Sequence, residues 1–314
     1  MKVRIHSHNP RSNGAFELVN TLREVYDADI RDDVPRLDIR KIATNSTYRY
    51  KKGDTVINWG SSSRLPHMAD EDQASYINHP MDINLVSNKI SFFMAARSRG
   101  MNYLMVPHTT DRSVAIQWLQ AGARIVERHK IRGHSGEGIR IKYPNTDDVI
   151  SSAPLYTRYI NKSNEYRIHL IRKPSISSED GVQTRGGVHN DFNFFTQQKK
   201  RRLDVPDQDV DWKVRNFENG FIYSPATSAN IEGPLYSELA ALMNIFQLDF
   251  GAFDVIQANS SQYNIDIGAT PGRYYVLECN TAPGLSSVSG KRFYATHLLD
   301  LLYQRAYDQQ QAGE

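Results

Sequence analysis

Leu277-Glu278-Cys279-Asn280-Thr281-Ala282-Pro283-Gly284-Leu285 is the stretch on which the reading of this chain turns. Residues 274–279 read as a strand. Glu278 and Asn280 lie two apart, so a strand puts them on one side. Upstream, Asp254 sits mid-strand in the mostly apolar run 252–256. The two runs can pair as neighbours across the polar connection 258–273, and three oxygen donors then converge. Such a set suits a hard cation such as Mg²⁺, which takes one or two carboxylates together with nucleotide phosphates. Acids inside apolar strands are costly to bury without a counter-charge. The plainer reading leaves Asp254 and Glu278 at strand ends in solvent or paired with Arg273. These residues alone leave the two readings evenly matched.

A second constellation is Gly133-His134-Ser135-Gly136-Glu137-Gly138, between the strand-like runs 123–128 and 138–143. Three glycines in six residues let backbone N–H groups turn toward an anion with no Cβ in the way. Arg128, Lys130 and Arg132 precede it, and alternation puts Arg128 and Lys130 on one face. A phosphate cradle competes here with a plain glycine hairpin, which a short Gly-rich loop by itself favours. A nucleophile elbow, a Walker loop and a dinucleotide fingerprint all need a helix after the glycines. A strand follows instead, so a phosphate loop here is a flap between two antiparallel strands.

Glu165-Tyr166-Arg167-Ile168-His169 alternates. Glu165, Arg167 and His169 share one face; Tyr166, Ile168 and Leu170 share the other. A strand lining a cleft has that pattern, and so does a half-exposed strand with cross-strand ion pairs. Further on stand Gln198-Lys199-Lys200-Arg201-Arg202 and Arg215-Asn216. Such cations suit phosphates, a carboxylate, or charge that develops during group transfer. A solvated basic turn is the alternative, with nucleic-acid contact a minority reading.

Outward from these motifs, residues 3–5 read as a strand. A helix follows, with Phe16, Leu18, Val19, Leu22 and Val25 at helical spacing behind Ser12 or Asn13 as N-cap. Residues 54–59 are a second strand, and this opening suits an α/β unit. The spacing predicts one helix over 85–99 closed by Gly100, a strand over 102–106, and a helix from Asp111 through Leu119 closed by Gly122. Strands are expected over 155–160, 165–172 and 251–257, and helices over 235–246 and 292–307. The polar run 174–187 reads as a mobile loop. His6, His8, Asn9, Arg11 and Asn13, with Ser61–Ser63 and Arg64, gather at strand ends where α/β proteins bind ligands. Capping and loop polarity explain them equally well.

Composition bounds the rest. A chain of 314 residues suits about two domains. Its net charge of +3 argues against a nucleic-acid coat or a polybasic membrane binder. The single Cys279 excludes an intramolecular disulfide and a Cys-rich zinc site, and fits a reducing compartment. No apolar run is long enough to span a membrane, and the N-terminus has no signal-peptide core. The expectation is a soluble cytoplasmic protein with no membrane or nucleic-acid partner; a homo-oligomer is left open.

Taken in order, these motifs resemble the ATP-grasp superfamily from about Lys89 to the loop after Asn280. Leu277–Leu285 is similar to the family's E-x-N-x-x-P-G-L segment. The nearest likeness is to the ribosomal-protein glutamate ligase branch and to short ATP-grasp proteins of bacteriophages. The resemblance implies an α/β (α+β) fold. It has an N-terminal α/β domain over 1–82, a small lobe with the glycine flap over 83–152, and a large lobe with the metal site over 153–314. ATP lies between antiparallel sheets.

The resemblance also implies roles. ATP and Mg²⁺, with Mn²⁺ as its substitute, are the cofactors. Asp254, Glu278 and Asn280 match the metal ligands. Gly133, His134, Ser135, Gly136 and Gly138 form the flap over the phosphates, with Lys89 a further phosphate contact. The run 155–160 resembles the hinge strand whose backbone reads adenine. Tyr159, Ile160 and Glu165 thus join the nucleotide contacts. Arg167 matches the catalytic-face arginine, and Arg215-Asn216 the pair at the transferred phosphate; Lys199 completes the catalytic set. The family usually has Lys on the strand before the flap. Arg128 is preferred for that place here, with Lys130 beside it. Asn88 replaces the usual Asp, and 174–187 and the stretch through Asp211 are longer than the compact branch needs. The implied activity is an ATP-dependent carboxylate–amine ligase acting through an acyl phosphate, with a carboxylate and an amine as substrates. A kinase and a non-catalytic nucleotide-binding module are its rivals.

Overall fold

The computed structural model describes residues 1–32, 34–42, 46–63, 74–132, 138–175, 191–226, 231 and 234–311. Three sheets organise them. The first is built from β1 (Lys2–Ser7), β2 (Asp38–Ile42), β3 (Asp54–Trp59) and β4 (Ala74–Ile77), in the order β2-β1-β3-β4. All its pairings are parallel. Parallel neighbours need crossovers, and α1 (Asn13–Ala28) is one. Ser12 caps it, its hydroxyl accepting from the Ala15 N–H at 3.3 Å. Leu18, Val19 and Leu22 enter the core as their spacing predicts, while Phe16 stays exposed.

The single helix expected over 85–99 is two, α2 (Pro80–Ser87) and α3 (Lys89–Ser98). Asn88 divides them. Its backbone is extended, and its side-chain oxygen accepts from the Ile90 and Ser91 N–H groups at 3.0 and 3.3 Å. An N-cap here outweighs continuation of the helix and makes Lys89 the first residue of α3. The strand expected over 102–106 is instead a 3-10 turn, Met101–Leu104, followed by one bridge from Met105 to Val276.

The second sheet is antiparallel, in the order β5-β8-β6-β7: β5 (His108–Thr109), β6 (Ile125–Arg128), β7 (Ile139–Lys142) and β8 (Leu155–Arg158), backed by α4 (Arg112–Gln120). Of the expected flap, Gly133, His134, Ser135 and Gly136 lie outside the described residues. Gly138 has φ +71°, and a Cβ on it would lie 3.1 Å from the Lys130 backbone nitrogen.

The third sheet is also antiparallel, in the order β11-β10-β9-β12-β13: β9 (Lys162–Arg172), β10 (Phe192–Arg201), β11 (Phe221–Pro225), β12 (Phe250–Ala258) and β13 (Tyr274–Asn280). The basic run 198–202 is therefore no turn: β10 carries most of it. Most of the expected mobile loop, 176–187, lies outside the described residues. α5 (Pro234–Ile245) buries Leu235, Leu239, Leu242 and Met243 in the core beneath this sheet. α6 (Gln262–Asp266) interrupts the polar connection before β13. α7 (Val288–Gln311) runs back to the first sheet, and Tyr294, Leu298 and Leu302 join Val3, Ile5 and Leu22 in one core. The fold is mixed α/β, with one parallel and two antiparallel sheets.

Candidate active site

A cleft of about 640 Å³ is lined by both antiparallel sheets. Apolar Val126, Ile139 and Ile141 come from the second sheet, while both carboxylates of the centre, Asp254 and Glu278, and Glu165, Arg167 and Lys199 come from the third. The register explains the grouping. Asp254 stands opposite Glu278 on one side and opposite Arg167 on the other. Glu278 and Asn280 share a face of β13, as their spacing predicts.

Arg167 grips Asp254 with two parallel bonds. Its Nε and Nη2 donate to Oδ1 and Oδ2 at 2.7 and 2.8 Å. The Asn280 amide donates to Asp254 at 3.3 Å and to Glu278 at 3.4 Å. Lys89 meets Glu278 at 2.9 Å. Burial alone would raise the Asp254 carboxyl. The Arg167 guanidinium outweighs it and holds Asp254 below the usual carboxylate range. The alternative partner, Arg273, instead donates to the Tyr103 carbonyl at 2.6 Å.

These donors fit a hard cation: two carboxylates and one amide, all oxygen, beside a row of cations. Among the described residues no three His, Cys, Asp or Glu side chains cluster as a closed metal cage.

Lys199 lies on β10 and points into the cleft, where it bonds Glu165 at 2.5 Å. Lys162 takes the other Glu165 oxygen at 2.6 Å. Burial would raise the Glu165 carboxyl, and the two ammonium groups more than reverse it. Glu165, expected among the nucleotide contacts, thus gives both oxygens to lysines. Lys162 was not singled out by sequence, and neither was Tyr223. The Tyr223 ring lies 4.3 Å from Arg167 and 4.8 Å from Lys199, and its hydroxyl donates to Asp254 at 3.4 Å. Nothing local marks it; the pairing of β11 with β10 places it opposite Lys199.

Arg128 and Lys130 both line the cleft. Arg128 is buried, and its Nε has no hydrogen-bond partner among the described residues. Burial lowers its pKa while the Glu278 carboxylate opposes that shift. Tyr159 and Ile160, just past β8, line the cleft. The amides of Arg158, Tyr159 and Asn161 are bonded at 2.9 Å to Pro107, Arg124 and Asn264. Arg215 and Asn216 complete the lining; Arg215 donates to the Lys162 carbonyl and Asn216 accepts from the Asn219 N–H. His169 shares its strand face with Arg167 but lies outside the cleft. It is buried against Tyr294 and Gln197, and burial pulls its pKa to about 4.

The first sheet reaches this site through one close approach. Gly60 follows β3 with φ +81°, and a Cβ on it would fall 2.6 Å from the Ala282 side chain. The loop after Asn280 therefore packs against the strand ends that carry His8 and Ser61. Arg64 lies outside the described residues. No helix is long and apolar enough to cross a membrane among the described residues.

No protein-family model matches this chain, and no curated protein does. Solved structures do match. D-alanine–D-alanine ligase from Bacillus anthracis superposes over all of both chains, with 13% identity and a TM-score of 0.59. The ATP-grasp ligase PsnB, complexed with minimal precursor, Mg and ADP, covers 97% of each chain at 13% identity and TM-score 0.58. A Chryseobacterium gregarium RiPP-associated ATP-grasp ligase, in complex with ADP and a leader and core peptide, covers 96% of each chain at 12% identity and TM-score 0.56. The order of the sheets, the cleft between the two antiparallel ones and these superpositions agree: this chain has the ATP-grasp fold.

Proposed function

We propose that this protein is an ATP-dependent carboxylate–amine ligase that works through an acyl phosphate. The observation that carries the proposal is the convergence in one cleft of Asp254, Glu278 and Asn280 with Lys89, Arg128, Arg167 and Lys199. An oxygen set for a hard cation beside that many cations suits phosphoryl transfer. The similarly folded proteins are ligases by name, which supports the same reading. We take residues 1–82, 83–152 and 153–314 as the N-terminal domain, small lobe and large lobe, acting in a reducing cytoplasm.

Held by Asp254, Glu278 and Asn280, Mg²⁺ would supply Lewis-acid polarisation of the phosphoryl oxygens. Lys89, Arg128 and Lys130 bind phosphates, and Tyr159 and Ile160 seat the base. Arg167, Lys199, Arg215 and Asn216 face the transferred group and offset its charge. In the first step a substrate carboxylate oxygen bonds to the γ-phosphorus. The bond to the ADP oxygen breaks, and ADP keeps its electron pair. In the second step an amine nitrogen bonds to the acyl carbon and loses a proton. Phosphate leaves with the C–O electron pair, and Arg167 stabilises the tetrahedral oxyanion. The flap, 133–138, excludes water from the acyl phosphate. The acceptor enters beside His8, Asn9 and Ser61.

The test is ADP and phosphate release with MgATP over pooled carboxylates crossed with pooled amines, peptides included, with mass spectrometry of each active pool. A product equal to acid plus amine minus water is expected. A stable phosphorylated product would make the protein a kinase. ATP binding without turnover in any pool would favour a nucleotide-binding module.

A further inference from the structure

Both carboxylates of the proposed metal set are already held by the protein's own cations. Arg167 takes both oxygens of Asp254, at 2.7 and 2.8 Å, and Lys89 takes Oε2 of Glu278 at 2.9 Å. All four side chains are largely buried, Asp254 and Lys89 to about nine-tenths. A two-pronged guanidinium–carboxylate pair is among the stronger protein contacts. It also uses the lone pairs that a hard cation needs. The protein's cations and a divalent ion therefore compete for the same oxygens.

The competition is resolved only if the displaced cations find another anion. Pulling Arg167 or Lys89 off its acid with nothing to receive it leaves an uncompensated charge in a low-dielectric cleft. Under the proposed function that anion is the nucleotide's phosphates. Arg128, buried on the facing sheet with no partner for its Nε among the described residues, lines the same space. Tyr223 gives Arg167 a contact that does not depend on Asp254, its ring lying 4.3 Å from the guanidinium carbon.

We infer that Arg167 and Lys89 are resident counter-ions of the metal-binding carboxylates, and that they yield those carboxylates as they turn to the nucleotide's phosphates. Divalent cation and nucleotide then bind with positive coupling, each favouring the other by the same factor. The inference rests on the metal assignment made under the proposed function. It adds that neither ligand binds well alone, so unproductive metal-free or nucleotide-free complexes stay sparse.

The experiment measures Mn²⁺ binding without nucleotide, by calorimetry and electron paramagnetic resonance at about pH 8. It also measures ADP binding in EDTA. Arg167→Met and Lys89→Met should each tighten nucleotide-free Mn²⁺ binding, by about fivefold or more, because a competing cation is gone. The same variants should weaken metal-free ADP. Opposite signs for the two ligands distinguish a counter-ion from a merely structural residue, whose loss would weaken both or neither. Mn²⁺ should also raise the melting temperature of Arg167→Met more than that of the parent. Unchanged or weaker Mn²⁺ binding in either variant overturns the role of that residue. Where a Met variant does not fold by circular dichroism, Arg167→Lys or Lys89→Gln replaces it, with the same direction expected and a smaller effect. Asp254→Asn separates the two levels. Loss of Mn²⁺ binding there, with no tightening in the Met variants, sinks only the counter-ion inference. Parental Mn²⁺ affinity in Asp254→Asn removes the metal assignment itself, and the inference with it.

Discussion

Asn78 and Asp249 clasp each other across the boundary between the first and third sheets. The Asn78 N–H donates to Asp249 Oδ2 at 2.8 Å, and the Asp249 N–H donates back to Asn78 Oδ1 at 2.8 Å. The Asn78 amide also reaches the backbone of Phe250, giving to its carbonyl at 2.8 Å and taking from its N–H at 3.2 Å. Asn78 is fully buried and has φ +64°, a left-handed conformation that asparagine tolerates better than most residues. Asn78→Ala removes three side-chain bonds, strands buried backbone groups and adds strain. It should cost about 2–4 kcal/mol. Urea unfolding measures this, and a cost below about 1 kcal/mol would show that the clasp is incidental.

Asp254→Ala and Glu278→Ala should abolish Mg-dependent turnover and keep the fold. Each removes a carboxylate of the proposed metal set at the centre of the cleft while the sheet around it stays paired. Activity is read as ADP release and fold as circular dichroism. Full turnover in either variant removes that residue from the metal set.

Arg128→Met should separate affinity from stability. The guanidinium lies in a buried setting that lowers its pKa, and among the described residues its Nε has no partner. Its loss should weaken ATP binding by about 1.5–3 kcal/mol, the worth of a hydrogen bond to a charged group. The melting temperature should hold or rise, because a poorly compensated buried charge is gone. A drop in melting temperature with unchanged ATP affinity would make Arg128 structural.

Glu165 predicts the acid side of the stability profile. Burial raises its carboxyl, but Lys162 and Lys199 outweigh that and set it below the usual value. A carboxylate depressed in the folded state contributes stability that is present above its unfolded pKa of about 4.3. That stability is lost as pH falls through the folded value. Asp254 adds in the same direction. Stability should therefore fall as pH drops below about 4. Glu165→Gln should be less stable near pH 7, where Lys162 and Lys199 then repel, and should have a shallower acid limb. Urea midpoints from about pH 3 to pH 7 decide this, and an acid limb as steep as the parent's would exclude Glu165.

Gly60→Ala should disturb a site to which Gly60 contributes no side chain. The φ of +81° costs an alanine about 1–2 kcal/mol, and its methyl would collide with Ala282. Ala282 lies two residues past Asn280 and lines the cleft. Both stability and ADP release should drop. A crystal structure of the variant with Ala282 unmoved would break the link between the two.

Strand alternation made β9, β12 and β13 legible, and with them the meeting of Asp254, Glu278 and Asn280. Glu278 and Asn280 are two apart, so a local rule puts them on one face; Asp254 joins them only because β12 pairs with β13, a pairing the sequence allowed without requiring. β10 was not read because its phenylalanines stand adjacent at one end and its cations at the other, which hides the period of two. β2, DIRKI, is short and rich in charge, though it is bound on one edge of the first sheet. The Lys162–Glu165–Lys199 trio depends on β10 lying beside β9, a pairing over 34 residues that no local pattern states. The break at Asn88 was present as a good N-cap residue but lost inside a plausible apolar stripe.

The return of α7 to the first sheet fixes an order of events in synthesis. The strands that contain Val3, Ile5 and Ile57 leave the ribosome well before the helix that closes their core. Until Val288–Gln311 emerges, Trp59 and Leu22 lack Tyr294, Leu298 and Leu302. The first sheet then waits, with apolar surface open to chaperones, for a segment more than two hundred residues downstream. A nascent chain halted before residue 288 should be protease-sensitive in the first sheet as well as near its growing end.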